Sequence, residues 1–259
     1  MRTAVICSAE NVFNRRVLPS YLASISDLAG IVAIEEKRSN LWRRLKYEWR
    51  RSRWRTLDVL AFRAFYRLRH AKRDREWVRA RSTALLARLG PIDDVPVFTT
   101  TDPNSDEARA FLASLAPDLC VAACKTILRR EIFGIPRHGT FVVHPGVCPE
   151  YRNAHGCFWA LAKRDLERVG ATLLRIDEGI DTGPVFAYYT TDFDELAESH
   201  TVIQLRVVYD NLDRIGSDLR RIAEGSAAPI DTRGRESAAW GQPRLTDYLR
   251  WKRAARAAA

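Results

Sequence analysis

Two side chains of this 259-residue chain stand out for the chemistry they can share. His144 closes a short apolar run, Thr140-Phe141-Val142-Val143, and Asp181 lies in a loop between Gly179 and Gly183. An imidazole carries or relays a proton near pH 7, and a carboxylate beside it orients the ring and favours its charged form. Surface histidines and aspartates are common, so the pair gains meaning only from the elements that bring it together. A second group, Cys120, Cys124, His144, Cys148, His155 and Cys157, has the ligand types that zinc selects. It contains no Cys-x2-Cys knuckle, and Cys120 and Cys124 border the apolar run Leu119–Cys124, where cysteine acts as a small hydrophobe, so no metal is expected. Phosphate-binding glycine loops and a Gly-x-Ser-x-Gly elbow are absent from the sequence.

The elements that must position the pair alternate between strand and helix. Thr3–Cys7 reads as a strand, Arg15–Ser26 as a helix and Leu28–Ile34 as a second strand, a βαβ unit that implies parallel pairing. Further strands are expected at Val95–Thr99, Asp118–Ala123, Gly139–His144, Gly170–Ile176 and Pro184–Thr191, with helices at Asp106–Leu115 and Cys157–Arg164. The stretch after His144, Pro145–Asn153, reads as loop. Val202, Leu205, Val208, Leu212, Ile215, Leu219 and Ile222 mark one long helix, capped by Ser199 or Thr201. The expected fold is α/β: an open, mostly parallel twisted sheet with helices on both faces, in which active sites lie beyond the carboxyl ends of strands. It occupies residues 1–225, interrupted at about 38–89 by a basic helical insertion, and leaves 226–259 as a tail without its own domain.

The net charge of +10 is unevenly placed: between Lys37 and Arg81, 17 Lys/Arg face 4 Asp/Glu, and the rest of the chain is slightly acidic. Leu57, Leu60, Ala61, Ala64, Phe65 and Leu68 recur at helical spacing, while Arg55, Arg63, Arg67 and Arg69 fill other faces and Trp42, Trp49, Trp54 and Trp77 add aromatics. Three partners suit such a segment: its own domain beneath the apolar stripe, an anionic membrane surface, or a nucleic acid or other polyanion. Five cysteines give no disulfide framework, and no 18-residue apolar run or secretory leader is present, so a cytoplasmic protein is expected, with peripheral contact at the inner membrane face as one use of the basic helices.

The ordered series His144-Pro145-Gly146-Val147-Cys148-Pro149-Glu150-Tyr151-Arg152, Trp159-Ala160-Leu161, Gly170-Ala171-Thr172-Leu173 and Asp177-Glu178-Gly179-Ile180-Asp181-Thr182-Gly183-Pro184 closely resembles the folate-dependent formyltransferase family. That family includes methionyl-tRNA, glycinamide ribonucleotide and sugar N-formyltransferases and formyltetrahydrofolate hydrolase. The likeness covers roughly 1–36 and 90–225 and implies a Rossmann-like formyltransferase domain. It also implies transfer of a formyl group from 10-formyltetrahydrofolate to an amine, with a tetrahedral oxyanion that needs aimed donors and a route for the amine's proton. On the resemblance, His144 stabilises the oxyanion and passes a proton, and Asp181 holds the imidazole and relays the proton through water. Ile127, Leu128 and Phe133 line the folate pocket, and the backbone of Asp177, Glu178, Gly179 and Ile180 binds the pterin edge.

One family residue is missing. An Asn two residues before the His is replaced here by Val142, which cannot donate a hydrogen bond. Asn153 and Lys125 are donors at positions where the family usually has Gly, and either one can supply the contact. The short tail argues against initiator tRNA, whose enzyme carries a C-terminal barrel, and for a small amine such as an amino sugar nucleotide. A homodimer through the basic helices fits the same pattern. Two other classes stay open: a catalytically silent folate- or amine-binding member, because of Val142, and a formyltetrahydrofolate hydrolase.

Overall fold

The computed structural model describes residues 1–35, 54–92 and 94–258. Seven strands form one sheet: β1 (Arg2–Ser8), β2 (Asp27–Ile34), β3 (Val97–Thr100), β4 (Leu119–Ala123), β5 (Thr140–His144), β7 (Ala171–Arg175) and β8 (Val185–Tyr189), in the order β3-β2-β1-β4-β5-β7-β8. The strands from β3 to β5 are parallel; beyond them β7 is antiparallel to β5, and β8 is antiparallel to β7. This is the open, mostly parallel sheet expected from the sequence.

Strand alternation sends successive side chains to opposite faces, and two cores result. On one face Val5, Cys7, Leu119, Val121 and Phe141 pack against α1 (Leu18–Ile25), which continues a π-helical turn over Phe13–Val17. On the other, Ala4, Ile6, Cys120 and Ala122 pack against Leu112 of α4 (Asp106–Ser114) and Ile132 of the short α5 (Arg130–Phe133). The predicted long helix is two helices, α7 (His200–Asp210) and α8 (Leu212–Ala223). Asn211 makes the break: its side-chain amide donates to the Val207 and Thr190 carbonyls, ending the first helix. Ser199 caps α7 by accepting from the Val202 amide.

Within the insertion, α2 (Trp54–Arg69) and α3 (Ala71–Leu89) are helical as expected, and the predicted apolar stripe is corrected. Of the predicted stripe, Phe65 packs on Tyr248 at 5.1 Å and Leu60 is half-buried, but Leu57, Ala61, Ala64 and Leu68 face outward, Leu68 at 88% exposure, whereas Phe62, outside the stripe, is 5% exposed. The aromatic ring decides the orientation because it buries the larger apolar surface. Phe62 packs at 5.4–5.7 Å between the rings of Phe158, His200 and Tyr248. On α3, buried Asp74 accepts from Tyr66 and Ser199, and Trp77 packs edge-on to Tyr209, so the insertion is tied into the domain by polar and aromatic contacts. Trp42, Trp49 and the Lys37–Arg53 part of the basic segment lie outside the described residues.

The tail is more structured than the sequence reading has it. Ala239–Trp240 forms β9, which pairs in parallel with β6 (Arg152–Asn153) inside the predicted loop, and Leu245–Ala257 forms α9. Tyr248, Trp251 and Ala255 of α9 are buried in a third cluster with Phe62 of α2 and Phe158, Trp159 and Leu161 of α6 (Gly156–Lys163). Their i, i+3, i+7 spacing is the helical signal that the Arg- and Ala-rich composition of the tail masks.

Truncating the two sides of α2 distinguishes its faces. Phe62→Ala is expected to lower the free energy of unfolding by about 3 kcal/mol and Leu68→Ala to change it by less than about 0.5 kcal/mol, as read from urea melts.

Candidate active site

His144 ends β5 at the carboxyl edge of the sheet, and its ring is 5% exposed. Both ring nitrogens face oxygen: Nε2 lies 2.9 Å from the Tyr151 carbonyl and Nδ1 lies 3.3 Å from Asp181 Oδ2. A carbonyl only accepts, so Nε2 carries a proton and donates it to Tyr151, leaving Nδ1 as the nitrogen that faces the carboxylate. The pair read from the sequence is therefore brought together across 37 residues.

The loop that delivers Tyr151 depends on two glycines. A Cβ on Gly146 would lie 2.4 Å from the Tyr151 carbonyl oxygen and 2.8 Å from His144 Nε2, and a Cβ on Gly156 would lie 2.4 Å from the Gly146 Cα. Only bare backbone fits there, and the close approach presses the loop onto the imidazole. Thr172, paired with His144 across β5 and β7, donates its hydroxyl to the Gly146 carbonyl at 2.7 Å and accepts from the Cys148 amide at 3.0 Å.

Asp181 is delivered by the loop between β7 and β8. Asp177 Oδ1 accepts from the Gly179 amide and the Thr182 hydroxyl, closing the turn, and Gly183 passes so near the Arg175 carbonyl that a Cβ would meet it at 1.8 Å. Asp181 then takes a left-handed backbone, φ +52°, a conformation that aspartate tolerates better than most residues. Its Oδ2 accepts the Asn153 backbone N–H at 2.8 Å, while Arg152 donates to the adjoining Ile180 carbonyl at 3.0 Å.

A cleft of about 690 Å³ shares this loop. It is lined by Phe133, Gly134, Pro136 and His138, by Arg130, Arg137 and Arg175, and by Asp177, Glu178 and Gly179. Four of the seven cofactor positions expected from the sequence are thus at its wall. The other three are not: Leu128 is turned into the core beside Ile132, while Ile127 and Ile180 are 71% and 49% exposed. Asn104 sets the first divergence, since its side chain holds the Ile127 carbonyl and the Arg129 amide and so fixes the backbone on both sides of Leu128.

The two donors considered in place of the absent Asn are placed differently. The Asn153 side-chain amide donates to the Trp240 carbonyl at 2.7 Å, so it braces β9 instead of reaching into the site. Lys125 is exposed just past β4, near enough to His155 for its charge to act on that ring. Val142 is half-buried against the cluster of Cys148, Leu174 and Val185. The sequence assigns no role in the site to Thr172 or the Tyr151 carbonyl, although both lie within the motifs quoted above, and it offers His155 only as a metal-ligand type. Burial, with Lys125 and Arg63 nearby, pushes His155 down to about 4, and full burial holds its neighbour His200 well below its ordinary value. Among the described residues, no group of three His, Cys, Asp or Glu side chains is placed to hold a metal ion. Burial raises all five thiols, Cys7 and Cys124 to about 11 and Cys148 and Cys157 to about 12. No described helix is long and apolar enough to cross a membrane.

Comparison with known proteins identifies the family and the fold. A family model described as Formyl transferase matches residues 74–210, from α3 through α7. Methionyl-tRNA formyltransferase of Sorangium cellulosum is 32% identical over 170 residues, 62% of this chain and 52% of that protein. That of Halorhodospira halophila is 41% identical over 119 residues, 45% of this chain and 35% of that protein. The chain thus matches about half or less of the length of these curated relatives. Among solved structures, a sugar N-formyltransferase from a Shewanella species aligns with TM-score 0.56 and 12% identity over 98% of this chain and 87% of its own. A phosphoribosylglycinamide formyltransferase from Anaplasma phagocytophilum aligns with TM-score 0.55 and 13% identity over 92% and 96%. An N-formyltransferase from Helicobacter canadensis, in complex with folinic acid and dTDP-3-aminofucose, aligns with TM-score 0.53 and 13% identity over 93% and 71%. At these identities the structures establish the shared fold.

The buried histidines set an acid limit on stability. His155 and His200 are held neutral in the folded chain but take up protons in the unfolded one below about 6.5, so stability falls as pH drops from about 6.5 toward 4. Each is expected to contribute up to about 1.4 kcal/mol per pH unit in that window. Urea midpoints measured across it should fall less steeply for His200→Gln than for the unsubstituted protein.

Proposed function

The chain belongs to the formyl transferase family, and on that premise we propose that it moves a formyl group from 10-formyltetrahydrofolate to the amine of a small acceptor, an amino sugar nucleotide. The observation that carries this reading is the buried His144 within 3.3 Å of Asp181, on a loop that also lines a cleft. The cleft volume lies in the range of small-molecule sites, and its mixture of one aromatic wall and polar loop backbone suits a flat, hydrogen-bonding heterocycle. Phe133 and the loop Asp177–Gly179 are the residues that would hold the folate.

When bound, 10-formyltetrahydrofolate supplies an electrophilic formyl carbon whose oxygen gains negative charge as the amine adds. His144, with Nε2 donating to Tyr151, stabilises that charge through a proton carried on Nδ1, the nitrogen beside Asp181. Asp181 keeps the ring in register and takes the proton that the amine must lose, directly or through a water, and the same proton passes to the folate nitrogen as its bond to the formyl carbon breaks. Val142 provides no donor, so we assign the remaining stabilisation to Lys125, the exposed cation on the same sheet edge. The acceptor assignment draws support from the sugar N-formyltransferases among the structural neighbours and from the dTDP-3-aminofucose bound to one of them. Val142 also favours a second reading, a silent folate-binding member, which any appreciable turnover of the formyl donor excludes.

Calorimetric titration with a stable 10-formyltetrahydrofolate analogue, then with amino sugar nucleotides in its presence, identifies donor and acceptor; no binding of the analogue overturns the assignment. His144→Ala and Asp181→Asn are each expected to lower turnover by roughly 10²–10⁴-fold while leaving analogue affinity nearly intact. Lys125→Ala is expected to cost about 10²-fold in kcat, as loss of an oxyanion donor does.

A further inference from the structure

The C-terminal strand β9 reaches the reacting pair by two separate routes. In the first, Trp240 pairs with Asn153 across β9 and β6, its carbonyl accepts the Asn153 side-chain amide at 2.7 Å, and the Asn153 backbone N–H in turn binds Asp181 Oδ2 at 2.8 Å. Asn153 is held at φ +73°, the left-handed conformation in which that N–H meets the carboxylate. In the second, Arg152 Nε donates to the Ser237 hydroxyl at 3.0 Å while its Nη1 donates to the Ile180 carbonyl at 3.0 Å, one residue before Asp181.

The strand is anchored where it makes these contacts. The Trp240 ring stacks between Tyr151, at 5.9 Å and 20°, and Trp159, at 4.9 Å and 25°, and its indole N–H donates to the Glu150 carbonyl at 2.8 Å. Tyr151 is the residue whose carbonyl holds His144 Nε2. One tryptophan therefore touches the residue behind the imidazole through its ring, and the residue behind the carboxylate through its backbone. Arg235 adds a two-pronged pair with Glu150, at 2.9 and 2.7 Å, just before the strand.

We propose that the segment Ser237–Trp240 is a clamp that sets the separation of Asp181 from His144, with Trp240 and Arg152 as its positioning residues. Neither touches the reacting atoms; both act by fixing the two backbones that hold them. The proposal rests on the reading of His144 and Asp181 as the reacting pair. A positioning error on the order of 1 Å is enough to cost a large factor in rate.

The test compares Trp240→Ala, Trp240→Phe and Asn153→Gly in the full-length protein, with Asp181→Asn as the reference. Asn153→Gly keeps the left-handed backbone, its N–H and the backbone pairing of β6 with β9 but removes the side-chain link to the Trp240 carbonyl, so it probes that part of the clamp without emptying the aromatic stack. Trp240→Ala and Asn153→Gly should lower kcat by about 10- to 10²-fold with KM for the formyl donor unchanged, and Trp240→Phe should recover most of the rate because the stack is retained. Nitrogen-15 NMR of the His144 ring supplies a readout that needs no turnover: its titration midpoint should move in Trp240→Ala and Asn153→Gly and return in Trp240→Phe. Wild-type kcat and an unmoved midpoint in Asn153→Gly, or rate lost together with donor affinity, overturn the clamp. Wild-type turnover in Asp181→Asn overturns the reacting pair itself and the clamp with it.

Discussion

A nearly fully buried imidazole with an oxygen at each nitrogen is an exacting thing to build, because neither contact tolerates much drift and each oxygen comes from a different part of the chain. His144 itself is fixed by β5, in the middle of the sheet. The Tyr151 carbonyl is fixed by a loop that folds back on Gly146 and Gly156 with no room for side chains, and the Asp181 carboxylate by a turn that Asp177 closes from within. Buried polar groups are costly unless paired, so each of these segments must satisfy its own backbone while aiming one group at the ring. Thr172 does this for the first loop with one hydroxyl that both donates and accepts.

The same demand explains why the basic insertion and the tail are part of the domain and not appendages to it. Phe62 of α2 and Trp251 of α9 are buried in the cluster that backs α6, the helix that starts directly behind the Tyr151 loop. Asp74 of α3 is buried against Ser199 and Tyr66, holding α3 to the start of α7. The described arginines of the insertion keep their charge in solvent while the aromatic residues between them supply the attachment, a division of labour that long cationic side chains allow.

Much of this was legible beforehand, and the failures have physical causes. Strands such as β1 and β2 are buried on both faces and read as uninterrupted apolar runs, which is why the parallel sheet follows directly from the sequence. His144 and Asp181 are marked by the motifs around them. The Tyr151 carbonyl and the Asn153 N–H are backbone groups, and the side chains beside them say nothing about where they point. The stripe on α2 was misassigned because spacing gives two faces and the choice between them depends on which neighbouring ring offers the deeper contact, here those of Phe158 and Tyr248. Ile127 and Leu128 are adjacent, and adjacent residues turn to different environments: one reached solvent and the other the core.

The contact between Asn153 and the Trp240 carbonyl spans 87 residues. The sheet is complete once Tyr189 has been made, and local strand pairings close sooner than distant ones. A chain emerging from the ribosome thus has its histidine, its aspartate and the walls of its cleft before the strand that braces them exists. Under the proposed function and the clamp reading, the residues that would hold the folate come earlier in the chain than the strand that would ready the pair for chemistry.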